Sequence, residues 1–100
     1  MVIRMRIYAS QNADHRQADA IFYQWVKPVH ERHGAEFLGR YRDAEGRVVV
    51  LWRYASEAEL RRIQSAVAAD PETLQHRELR LAAGLHGLDF TEYLLHSTDP

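Results

Sequence analysis

From Val2 to Tyr8 polar and apolar residues alternate: Ile3, Met5 and Ile7 share one side, and Val2, Arg4, Arg6 and Tyr8 the other. A period of two predicts a β-strand. Ser10, Gln11 and Asn12 supply a polar turn, after which the spacing becomes helical. Between Ala13 and Arg32, Ala18, Ile21, Phe22, Trp25, Val26 and Val29 form one stripe. Asp14, with Gln17 three residues on, has the form of a capping box. Pro28 removes the amide that would bond back to Gln24, so a kink or a fresh turn is expected there. Gly34 suits the left-handed position that closes a helix.

Residues 35–42 and 47–54 read as two strands around Asp43-Ala44-Glu45-Gly46, a hairpin turn whose glycine is placed for positive φ. The run Val48-Val49-Val50-Leu51-Trp52 is apolar on both faces, which predicts a central strand covered twice. Ser56 with Glu59 opens a helix whose inner stripe is Leu60, Ile63 and Val67. Asp70-Pro71 opens another, leading through Leu74 and Leu81 to about Leu85. Residues 87–96 read as a last strand carrying Leu88, Phe90, Tyr93, Leu94 and Leu95.

Strand, helix, strand, strand, helix, strand is the α+β, ferredoxin-like βαββαβ order, a four-stranded antiparallel sheet with helices on one face. Residues 1–100 make a single domain. The helices cover one side of the sheet only. The other side receives apolar residues from the third strand, together with Tyr8 and Tyr41 or Leu38. Such a patch marks an interface, and the expectation is a homodimer whose sheets pack face to face and close into a barrel.

Composition narrows the function. The chain has 100 residues, 13 basic and 14 acidic side chains and a net charge of −1. This near-neutral balance argues against nucleic-acid or membrane binding by bulk charge. The absence of cysteine excludes disulfides, thiolate catalysis and cysteine-ligated metals. The opening residues place Arg4 and Arg6 inside the apolar run, unlike a signal peptide, and a cytoplasmic location is expected.

Arg6-x-Tyr8, His30-Glu31-Arg32-His33-Gly34, Gly39, the run Val49 to Ser56 and Asp70-Pro71-Glu72 occur in an order and spacing that resembles the NIPSNAP family, within the dimeric α+β barrel superfamily. The resemblance covers nearly the whole chain. Two departures stand out: Arg4 where members often carry an acid, and Leu74 where an aromatic is common. The resemblance implies the same fold and dimer. Small single-domain relatives generally have no assigned reaction, while sister families include cofactor-independent monooxygenases, haem-degrading enzymes and small-lactone isomerases.

The candidate chemistry centres on two clusters. His30 and His33, three apart, are neighbours on a helix. No third ligand accompanies them, so no metal is expected. As neutral imidazoles either could act as a general base, while His33 at the helix end also complements its negative pole. Arg4, Arg6 and Tyr8 share a strand face; with the helices on the Ile3 side, they would point into the barrel. The ligand-binding candidates are therefore Arg6 and Arg53 as charged groups and Tyr8, Tyr41, Trp52 and Tyr93 as walls or donors. The competing expectation is an ion-pair network with Glu36, Glu92 or Asp89, with Trp25 and Trp52 as core. Arg61, Arg62, Arg77 and Arg80 are interleaved with acids and read as solvated helix faces. The reading is a NIPSNAP-like homodimer binding a small organic ligand in the barrel, with no cofactor. The alternative is a monooxygenase- or isomerase-like enzyme using His, Tyr and Arg.

Overall fold

A computed structural model describes residues 1–9, 15–85 and 89–99. The strands are β1 (Val2–Tyr8), β2 (Glu36–Arg42), β3 (Val48–Tyr54) and β4 (Phe90–His96). They form one antiparallel sheet in the order β2-β3-β1-β4. The first crossover is α1 (His15–Ile21), a π-helical stretch Phe22–Val26 and α2 (Lys27–Arg32); the second is α3 (Glu57–Ala69) followed by α4 (Pro71–Ala82). This is the ferredoxin-like arrangement that the pattern predicts. Of the proposed first cap, Asp14 lies outside the described residues, as do Ser10 to Asn12 and Leu88.

The local signals act as their chemistry requires. Ser56 accepts the Glu59 amide at 3.1 Å and Asp70 accepts that of Glu72 at 2.9 Å, each holding an otherwise unpaired helix-start donor. Gly34 and Gly46 take φ of 108° and 84°, closing α2 and the β2–β3 hairpin in the left-handed region. Pro28 stands in the first turn of α2, so a fresh helical turn starts there as expected. The turn before it widens, and the Lys27 amide bonds to the Phe22 carbonyl, five residues back. Widening relieves the crowding that the proline ring would cause against the carbonyl four residues earlier.

Val2, Val29, Ala35, Val48, Val50, Trp52, Tyr54, Leu60, Ile63 and Val67 form the core between sheet and helices. Phe22, Phe37 and Trp52 cluster there with ring centroids 5.2–6.3 Å apart, a spacing at which aromatic quadrupoles attract.

The faces of β1 differ from expectation. Val2 and Arg4 are buried on the helix side, and Arg6 and Tyr8 follow them. Ile3, Met5 and Ile7 therefore lie on the bare side, opposite Arg53, Leu51 and Val49 of β3 and Leu95, Tyr93 and Thr91 of β4. Tyr8 does not belong to the bare face; it packs on Phe90 at 5.5 Å. A strict alternation states that two faces differ, not which one a helix covers. Here the charged face is covered because a hollow lies over it.

Candidate functional site

That hollow is a cavity of about 350 Å³ between sheet and helices. Its floor comes from Arg4, Arg6 and Tyr8 of β1, Val48, Val50 and Trp52 of β3, Arg40 and Phe90. Its roof comes from Ala18 and Ile21, then Phe22 and Val26 of the π-turn, then His30. Val67, Thr73, His76, Arg80 and Leu85 close the far side. A π-turn re-aims side chains that an unbroken α-helix would space differently, and here it supplies two consecutive parts of the wall.

α4 is inverted relative to a core helix. Thr73 and His76 are buried and Arg80 lines the cavity, whereas Leu74 and Leu81, the expected inner residues, are each 55% exposed. Arg80 is thus not on a solvated face, unlike Arg61 and Arg62, which pair with Glu57 and Glu59. The Thr73 hydroxyl donates to the Val67 carbonyl, tying α4 to the end of α3.

The charges are unevenly compensated. Arg6 bonds Glu92 at 2.8 Å and stacks over Phe90 at 4.3 Å. Burial opposes its charge, but hydrogen bonds to Tyr8 and Glu92 prevail and raise its pKa. Arg40 and Arg42 share Asp19, whose pKa falls because those two guanidiniums outweigh its desolvation. Arg4, only 4% exposed, reaches Glu92 at 4.0 Å, and burial lowers its pKa. Among the described residues, Arg4 Nε, Arg80 Nε and both ring nitrogens of His76 are buried without a hydrogen-bond partner. Unpaired buried polar atoms are rare and costly in a finished core.

His30 points into the same space. Its Nδ1–H donates to the Val26 carbonyl at 2.8 Å, which leaves Nε2 as the acceptor nitrogen. Burial lowers its pKa to about 4, so the ring is neutral at pH 7 and chemically able to accept a proton.

The residues singled out from the sequence separate into three places. Arg6, Tyr8, Trp52 and His30 line the cavity. Tyr41, Arg53 and Tyr93 lie on the opposite face of the sheet, Arg53 bonded to Glu36. They cannot share one chain's cavity with Arg6, because side chains on opposite faces of a sheet point apart. His33 sits away from His30 at the end of α2, 2.7 Å from Asp70. Missed from the sequence were His76, Arg80, Arg40, Phe22 and Phe90. Thr73, His76 and Arg80 do carry a legible signal, since spacings of three and four put them on one helix face.

A ferredoxin-like sheet roofed by helices, with a cavity of apolar walls and a few buried charged groups between the layers, defines a small α+β domain with a pocket. The NIPSNAP family model matches residues 3–83, and the chain belongs to that family. A NIPSNAP family protein with unknown function from Agrobacterium tumefaciens has 14% identity and a TM-score of 0.79, covering 95% of this chain and 86% of that one. An uncharacterised NIPSNAP-like domain protein from Burkholderia xenovorans has 18% identity and a TM-score of 0.78, covering 99% and 88%. A protein described as an antibiotic biosynthesis monooxygenase has 14% identity and a TM-score of 0.54, covering 99% and 100%. These likenesses establish the fold. No curated protein matches the chain.

Proposed function

We propose that this NIPSNAP protein is a cytosolic homodimer that binds a small organic molecule in the cavity of each subunit. One observation carries the ligand: Arg4, His76 and Arg80 hold buried polar atoms, unpaired among the described residues, around about 350 Å³ of space. That volume lies at the lower end of the roughly 300–1,000 Å³ usual for ligand sites. The dimer is supported by the bare face, where Ile3, Met5, Ile7, Val49, Leu51, Tyr93 and Leu95 adjoin across the strand register. The ligand site is then not the space between two sheets but the space under each subunit's own helices.

A thermal-shift screen of aromatic, quinone, haem and small organic-acid compounds tests the ligand. At least one class should stabilise the parent chain but not Val50→Trp, which fills the cavity. Stabilisation of both alike, or of neither, refutes the site.

The neutral His30, with Nε2 free to accept a proton beside Arg4 and Arg6, favours a second reading as an enzyme. There His30 would remove a proton from a carbonyl-bearing substrate, and the guanidiniums would stabilise the resulting enolate. Turnover of a cavity ligand, lost in His30→Gln while binding persists, separates this from binding alone.

A further inference from the structure

The cavity's charge and shape restrict what it can hold. Among the described residues no carboxylate lines it, and the two that reach its arginines are engaged: Glu92 by Arg6, Asp19 by Arg40 and Arg42. Arg4 has only a 4.0 Å approach to Glu92, and no described carboxylate pairs with Arg80. Buried guanidiniums without counter-ions are unfavourable, so a ligand that completes them carries negative charge. A neutral ligand would leave both unmatched.

α4 strengthens the argument. Packing alone would turn Leu74 and Leu81 inward, since burial of leucine is favourable and burial of arginine is not. The helix instead exposes these leucines and buries His76 to 2% exposure. Thr73 of this stripe bonds Val67, which leaves the His76 ring nitrogens and Arg80 Nε for something inside the cavity.

The remaining walls are apolar and flat. Trp52 and Phe22 belong to the aromatic cluster, their rings tilted 50° to each other, and Val26 and Val50 are the neighbouring wall residues. A phosphate-type anion is disfavoured because the α4 N-terminus is already occupied by the Asp70 carboxylate, and the cavity is lined by side chains, not by a cradle of amides. A planar carboxylate suits a guanidinium fork.

We propose that the cavity takes a small aromatic carboxylic acid, its carboxylate held by Arg4, Arg80 and His76 and its ring against Trp52 and Phe22. This rests on the cavity being the ligand site.

The test is calorimetric titration of the full chain with benzoate, phenylacetate, cinnamate and naphthoate, each beside its primary amide, and with inorganic phosphate. At least one acid should bind about tenfold or more tightly than its amide, the usual worth of a charge-assisted pair. Arg80→Gln should abolish that preference while leaving amide affinity within about twofold, because it removes charge and little apolar wall. Arg4→Lys, which keeps the buried charge but loses the fork, should weaken the acid without unfolding the chain. Acid and amide binding equally overturns the anion assignment and leaves the cavity reading intact. Phosphate binding as tightly as the acids overturns the aromatic part. Binding of none of these compounds overturns this proposal, and if the wider screen is also blank the cavity reading falls with it.

Discussion

The His30 imidazole lies nearly parallel to the Trp52 indole, with centroids 5.0 Å apart and 22° between planes. The indole covers one ring face, the Val26 carbonyl takes Nδ1–H, and Arg4, Arg6 and His76 oppose any added charge. Burial and the neighbouring charges keep the ring neutral against the Val26 carbonyl, which alone would favour the protonated form.

Acid should therefore destabilise the fold through His30. Its folded pKa of about 4 lies below the ordinary 6.5. Between these values the unfolded chain binds a proton that the folded chain refuses, so stability falls as pH drops from 6.5 towards 4. The loss is at most about 3 kcal/mol. His76, lowered by burial and by Arg80, adds in the same direction. Denaturant melts of His30→Gln should show a shallower decline across that window than the parent. Parallel curves would sink the assignment, as would ring-nitrogen NMR placing the proton on Nε2 at pH 7.

Asp70 joins the two crossover segments. One carboxylate oxygen meets Arg32 and His33 at 2.7 Å each, while the other caps α4. Arg32, then His33 and the Glu72 amide hold its pKa far below the usual carboxylate range. Its contribution is present above the unfolded value of 3.8 and is lost as pH falls below it. Asp70→Asn keeps a capping oxygen and loses the ion pairs; Asp70→Ala loses both. The expected order of melting temperature at pH 7 is parent, Asn, Ala, with Ala lower by roughly 5 °C or more. Equal melting of all three would show that the junction contributes nothing.

The scaffold was legible wherever a local rule settles the outcome: the Ser56 and Asp70 caps, Gly34, Gly46 and the Leu60-Ile63-Val67 stripe. The site was legible only in part, because local rules do not say which strand face a helix covers. Alternation groups Arg4, Arg6 and Tyr8 correctly, but Tyr41 and Tyr93, expected beside them, project from the other side. α4 misled for a related reason. Reading Leu74 and Leu81 as inner residues assumes that every helix buries its apolar stripe, and this one buries Thr73 and His76 instead. The π-turn was anticipated only as a disturbance at Pro28.

Pro28→Ala tests the origin of that turn. With an amide restored at position 28, an α-helical bond back to the Gln24 carbonyl becomes available and the widened turn can tighten to an α-helix. Stability should rise slightly, while Phe22 and Val26 shift out of the cavity wall. A compound that binds the parent cavity should lose at least about threefold in affinity, less than the roughly tenfold expected from losing a charged contact. Undiminished affinity would mean that the wall does not depend on the proline.

Bare-face packing makes the most exacting demand. Leu51 pairs with Met5, which in turn pairs with Tyr93, in the middle of the uncovered side; Tyr41, 59% exposed, stands nearby on β2 opposite Val49. A patch of this kind, left wet, would be an aggregation liability in a chain carrying a net charge of only −1. Leu51→Lys places a charge at its centre without touching the helix side, where the cavity lies. The parent should sediment at twice the 11.6 kDa chain mass, and the variant at the single-chain mass with an unchanged far-ultraviolet spectrum. A parent that sediments as a single chain at micromolar concentration would remove the dimer, yet leave the cavity as it stands, since no residue of the bare face lines it.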